Sequence, residues 1–227
     1  DDGFSVSQRL LIPLMLVVLM MPLSAMAAEG IGTIRVELAF EPDLERGAEV
    51  FEVCASCHLP EGWGHPDGTY PQLAGQHSNV LMQQLLDIRS GKRENNIMYP
   101  FVQERTIGGY QSLADVVAYI STLPMVPAHG RGPWEPGSRR YVKGKENYER
   151  YCIGCHGEYA EGDNHAGYPK LQRQHYNYLR HQARLIRTGQ RASEMMAPMI
   201  RPLAEETVKE ILNYISYLDL SVQPDQT

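Results

Sequence analysis

The chain has 227 residues, enough for one or two domains. Its 21 basic and 27 acidic residues leave a net charge of −6. That balance speaks against a nucleic-acid partner, which would call for a basic surface.

In chain order, residues 1–9 are short and polar, and Leu10 to Ala28 then runs 19 residues without a charge. Such a helix is roughly 28 Å long, about one hydrocarbon thickness. Residues 1–28 are read as an uncleaved signal-anchor, a single transmembrane helix. Arg9 marks its cytoplasmic end by the positive-inside rule. Ala25-Met26-Ala27 also resembles a signal cleavage site, and cleavage there would release a soluble periplasmic protein. Residues 29–40 alternate briefly and are expected to form an extended tether or lead-in strand.

Glu45 to Val53 has a helical pattern and leads into Cys54-Ala55-Ser56-Cys57-His58. Leu59 to Tyr70 is a Gly- and Pro-rich loop. His77 to Ser90 is an amphipathic helix with Val80, Leu81, Leu85 and Ile88 on one face. Asn95 to Gly109 is expected as loop, and Leu113 to Leu123 as a closing helix. Pro124 to Gly137 holds four prolines and three glycines, the composition of a fairly stiff linker. The pattern then repeats. A helix over Tyr141 to Tyr151 enters Cys152-Ile153-Gly154-Cys155-His156, and Gly157 to Tyr168 is loop. His175 to Thr188 is amphipathic, and Glu205 to Leu218 closes the second unit. The divisions are 41–123 and 138–220 for the two domains, 124–137 for the linker and 221–227 for a tail.

Both cysteine motifs read C-x-x-C-H, the pattern of covalent haem attachment. Two thiols add across the two vinyl groups of one porphyrin, and the adjoining histidine reaches the iron. Redox or zinc CxxC pairs are the competing reading. A four-thiolate zinc site would leave both histidines unexplained, and these are the only four cysteines, so no resolving thiol remains. Two covalently bound haem c groups follow. A porphyrin would supply apolar interior to each small domain. Haem c is attached outside the cytoplasm, which places the domains on the periplasmic face.

The repeat points to the remaining ligands. At an offset of 98, Tyr70-Pro71-Gln72-Leu73 falls on Tyr168-Pro169-Lys170-Leu171, Gln76-His77 on Gln174-His175, and Arg89-Ser90-Gly91 on Arg187-Thr188-Gly189. Met98 falls on Met196, each 40 residues beyond its motif histidine. Thioether sulfur suits haem iron and, paired with histidine, raises its potential. Met98 and Met196 are therefore the expected sixth ligands, ahead of Met82 and Met125 in the first half and Met199 in the second. Met195 and Met199 are read as haem-wall packing. Ligation by His77 and His175 would make both centres bis-histidine; a local hydrogen bond near a helix start is the preferred role. His65, His129, His165 and His181 are read as surface residues. Pro71 and Pro169 are expected to sit beside the haem histidines, where a backbone carbonyl can accept the Nδ1–H and fix the ring. Arg93 and Arg191 are candidates for haem propionates, or else solvated helix-end charges. Tyr119-Ile120-Ser121 matches Tyr214-Ile215-Ser216 at an offset of 95, so Gln103 to Ser112 carries about three extra residues.

With these residues the chain resembles the dihaem cytochrome c4 family over about residues 41–220. Pro71-Gln72-Leu73-Ala74-Gly75-Gln76 matches the family's P-x-L-A-G-Q stretch well, and Pro169-Lys170-Leu171-Gln172-Arg173-Gln174 less fully. The departures are Leu59-Pro60 after His58 where glycine is usual, Trp63 in the following loop, and the N-terminal apolar segment. The resemblance implies an all-α fold of two tandem class I cytochrome c domains about a pseudo-twofold axis, with haem edges close together.

Residues 41–123 carry 11 acidic and 5 basic side chains, and residues 138–219 carry 10 acidic and 13 basic. This asymmetry could orient the protein between unlike partners. With His/Met ligation at both irons no coordination site is open, so the expected function is single-electron relay and not catalysis. The expected donor is a membrane complex of the quinol-oxidising type, and the acceptor a terminal oxidase or photosynthetic reaction centre. A cytochrome subunit of a larger oxidoreductase is the alternative. A dihaem peroxidase or thiosulfate-oxidising enzyme would need an open or cysteine-ligated iron, and no cysteine is spare.

Overall fold

The computed structural model describes residues 41–126 and 128–218. The apolar stretch, the tether and the C-terminal tail lie outside these residues. Among the described residues no helix is long and apolar enough to cross a membrane.

The described chain is all-α. In the first half, α1 (Leu44–His58) starts at Asp43, whose carboxylate accepts from the Arg46 amide. It runs through the whole CxxCH motif, beyond the Val53 expected. α2 (Ser78–Arg89) buries Val80, Leu81, Met82 and Ile88. α4 (Tyr110–Thr122) closes the half and buries Leu113, Val116, Val117 and Ile120. The expected loop between Asn95 and Gly109 contains a short helix, α3 (Glu104–Ile107), because Ile107 turns into the core.

The second half is built alike, with one local difference. Its first helix is divided into α5 (Arg139–Tyr151), capped by Ser138, and α6 (Ile153–His156). Core aromatics Phe51 and Tyr148 are equivalent, yet Phe51 lies three residues before its cysteine and Tyr148 four. The extra residue is accommodated at Cys152, which leaves helical geometry at φ −121°. α7 (Tyr176–Thr188) ends at Gly189 in the left-handed conformation. α8 (Met196–Ile200) and α9 (Glu205–Ile215) follow.

In each half the first and last helices pack closely at a glycine. A Cβ at Gly47 would strike the backbone carbonyl of Asp115, and one at Gly144 that of Glu210. An ion pair repeats beside each contact: Arg46 Nε lies 2.5 Å from Asp115 Oδ2, and Lys143 Nζ 3.7 Å from Glu210 Oε2. Burial alone would raise the Asp115 pKa. Arg46, the Asp43 amide and Gln111 outweigh it and hold the carboxylate below its ordinary range.

The halves meet through exchanged hydrogen bonds. The Gln72 amide donates to Gln174 Oε1 at 3.0 Å, and Gln174 Nε2 donates to the Gln72 carbonyl at 2.8 Å. Gln76 and the Lys170 backbone make the same two-way exchange at 2.9 Å each way. His77 Nε2 donates to the Glu161 carbonyl at 2.8 Å, and His175 Nε2 to the Trp63 carbonyl at 2.7 Å. Trp63 and Glu161 are themselves 98 residues apart. Each contact therefore has a counterpart with the halves interchanged, as the expected pseudo-twofold relation requires.

The linker is fastened to the second half. The Gly132 and Trp134 amides donate to Ser216 Oγ and Asn213 Oδ1, and Gly130 N donates to His175 Nδ1. His129, expected at the surface, is partly buried and donates from Nε2 to the Ser216 carbonyl at 2.6 Å.

Candidate haem sites

Both motif histidines are turned inward at the ends of their helices, His58 with 3% and His156 with 7% of its surface exposed. Their Nδ1 atoms lie 2.9 Å from the Pro71 carbonyl and 3.1 Å from the Pro169 carbonyl, as the repeat predicts. A carbonyl can only accept, so Nδ1 carries the proton and Nε2 keeps its lone pair. His58 Nε2 is buried and has no hydrogen-bond partner. Such an atom is costly unless something else binds it, and a haem iron fits. Burial also lowers both histidine pKa values, which favours the neutral, ligating form.

The cysteines agree with this chemistry. Burial raises the Cys54 thiol to about 11 and the Cys152 thiol to about 12, with the neighbouring cysteine adding to each. A redox CxxC pair or a zinc thiolate needs a thiol that ionises readily.

In the second half, Cys152, His156, Leu171, Met196, Ile200 and Ile215 line one apolar chamber. α8 turns Met196 toward the core with Ala197 and Ile200. Met195 and Met199 are 67% and 48% exposed, outside the buried core of the protein chain. In the first half Met98 is partly buried, its amide bonded to Asn95 Oδ1, as the Met196 amide is to Ser193 Oγ.

His77 and His175 do not make the local helix-start bonds expected. Each is an N-cap residue without a capping bond, and its ring reaches a carbonyl of the opposite half. Arg93 and Arg191 lie together where the halves meet. Arg93 donates to Gln84, Gln182 and Tyr178, and Arg191 donates to Gln182. Burial, followed by the charge of Arg93, lowers the Arg191 pKa to about 10. Two guanidiniums side by side in a partly dry site suit the carboxylates of a haem edge. Arg89 and Arg187 instead hold loop carbonyls, Arg89 those of Val102 and Gly108 and Arg187 that of Leu203. The inter-half roles of Gln72, Gln76 and Gln174 were not read from sequence; their place in the repeated Pro-x-Leu-x-x-Gln stretch was the available signal.

Residues 44–124 match the family model described as cytochrome c. Residues 139–215 match the model described as cytochrome c oxidase, cbb3-type, subunit III. Cytochrome c4 from Azotobacter vinelandii is 30% identical over 188 residues, covering 78% of this chain and 89% of that protein. A thiosulfate dehydrogenase electron acceptor from Stutzerimonas stutzeri is 29% identical, covering 72% of this chain and 77% of that protein. The crystal structure of reduced cytochrome c4 from Pseudomonas stutzeri superposes with a TM-score of 0.68 at 26% identity, covering 79% of this chain and all of that one. Two CxxCH sites in two cytochrome c domains mean two covalently bound haem c groups. With their repeated histidine–proline bonds and the interchanged contacts between halves, these likenesses place the chain in the cytochrome c4 family.

Proposed function

We propose that the protein relays single electrons on the periplasmic face of a membrane, from a quinol-oxidising complex to a terminal oxidase or photosynthetic reaction centre. The buried, unpartnered Nε2 of His58, its ring fixed by the Pro71 carbonyl, carries the reading, because it offers haem iron one strong, oriented ligand. The haems supply the reversible Fe(II)/Fe(III) couple. The chain orients the histidines, excludes water from the chambers and provides the surfaces through which electrons enter and leave.

Met98 and Met196 are the sixth ligands in this proposal. The chamber that Met196 shares with Cys152 and His156 favours it over exposed Met199. Exposed apolar side chains flank both methionines, Ile97, Tyr99 and Phe101 in the first half and Met195 and Met199 in the second. They form a rim on which a partner can dock close to a haem. Leu10 to Ala28 serves as the membrane anchor.

Methionine ligation is tested by the weak red charge-transfer band of methionine-bound ferric haem. Met98→Ala and Met196→Ala should each remove about half of its intensity, since each half supplies one such ligand, and Met199→Ala should leave it intact. A full band in Met196→Ala would overturn the assignment.

The match of residues 139–215 to an oxidase-subunit model supports a second reading, a cytochrome subunit fixed within a larger oxidoreductase. Mild detergent extraction from native membranes separates the two readings. Co-purification of oxidase or quinol-oxidising subunits supports the bound subunit, and release of the protein alone supports the carrier.

A further inference from the structure

The second half carries an open groove between α7 and the start of α9, with a volume of about 850 Å³. Arg180, Arg184, Arg187, Arg201 and Lys209 line it, against the single carboxylate of Glu205. Lys209 is held by Glu205 and Glu206, each at 2.8 Å. Arg180 stacks over Tyr176, and among the described residues the Arg184 guanidinium meets Gln190 and His181. No acidic residue lies on α7 itself, although arginines at 180, 184 and 187 occupy one helix face and repel one another.

The first half shows what this groove replaces. Met82 and Leu86 stand at the positions of Arg180 and Arg184, and Ala114 at that of Lys209. Met82 is 2% exposed, and Ile107 from the extra turn α3 joins it in the core. The paired arginines differ in the same sense. Arg89 Nε donates to the Val102 carbonyl, whereas Arg187 Nε is buried without a partner. The second half thus lacks the sealing turn, gains cations where the first half has apolar side chains, and leaves a buried donor unsatisfied in the groove wall.

We propose that this groove binds a multivalent oxyanion of the phosphate type, held by Arg184, Arg187 and Arg201. Guanidinium forks match phosphoryl oxygens in geometry and charge, and a bound anion would remove the repulsion along α7. The floor residues Ala183, Val208 and Leu212 also wall the haem chamber, so the anion would lie one side-chain layer from the second haem.

The test is equilibrium dialysis of the dihaem protein with radiolabelled inorganic pyrophosphate, together with sedimentation on vesicles of phosphatidylglycerol or of phosphatidylcholine. Saturable binding that weakens about tenfold or more in Arg184→Ala/Arg201→Ala supports the site. It should be unchanged in Arg139→Gln, which alters an exposed arginine outside the groove. Arginine-dependent binding to phosphatidylglycerol vesicles without pyrophosphate binding also supports it and identifies a lipid headgroup as the source. Absence of both, or binding equal in the groove variant and in Arg139→Gln, overturns the proposal. Soret and thermal-unfolding profiles of each variant check that the fold is intact.

Discussion

Met82, Leu86 and Ile107 close the outer side of the first haem domain, whereas the second presents Arg180 and Arg184 over a shorter loop. The haem-attachment ends show the opposite pattern, because the cysteines, the histidines and the proline carbonyls that fix them correspond one for one. The CxxCH motifs and the proline carbonyls that fix their histidines are shared, whereas the side chains around them differ at both buried and exposed positions. The backbone carries a related difference. Among the described residues, the non-glycine positions with positive φ are Leu59, Ala160 and Arg173, and their repeat mates are Gly157, Gly62 and Gly75. Each half has kept the same turns but has placed side chains in different ones.

The largest expected effect tests the shared framework. Gly47→Ala and Gly144→Ala each drive a methyl group into a backbone carbonyl that cannot move without separating two helices. Each should cost about 3 kcal/mol in its own half, read by thermal unfolding. A marked inequality would show that one helix pair tolerates displacement. Next is Leu59, at φ 67° and ψ 156°, a region that side chains rarely occupy and that Gly157 fills in the second half. Leu59→Gly should stabilise the first half by about 1–2 kcal/mol through strain relief, whereas Gly157→Leu should destabilise the second. Gln172 is fully buried with neither amide atom partnered, at the position of Ala74. Gln172→Ala should gain about 1 kcal/mol in urea titrations by removing unsatisfied polar atoms; a loss would reveal that haem or water bonds them.

The smallest expected effect concerns pH and the contact between the halves. Burial lowers the pKa values of His77, His129 and His175, all of which bond a carbonyl through Nε2. The unfolded chain therefore takes up protons first as pH falls. Their contribution is full above the unfolded value of about 6.5 and is lost as pH drops through the window below it. Protonation of His175 also displaces the Gly130 amide from Nδ1. Thermal midpoints should fall between neutral and mildly acidic pH, and the fall should shrink in His175→Gln. An unchanged pH profile in that variant would assign the acid sensitivity elsewhere.

The haem chemistry was legible in the sequence because attachment is local. Two thiols and a histidine must lie within five consecutive residues, and the internal repeat pairs the two attachment motifs. The helices were legible from their apolar period, with boundaries displaced by a few residues. α3 and the break at Cys152 were not, since the first depends on Ile107 finding the core and the second on one residue inserted between fixed contacts. The histidines show the division most clearly. Sequence gave His77 and His175 equivalent positions at helix starts but could not show that their partners are the Glu161 and Trp63 carbonyls, 84 and 112 residues away. The linker's contact with Ser216 and the open groove beside α7 are decided in the same way. Covalent haem attachment and helical periodicity depend on neighbours along the chain and are written in it; hydrogen bonds between halves and the sealing of a groove depend on what folding brings near.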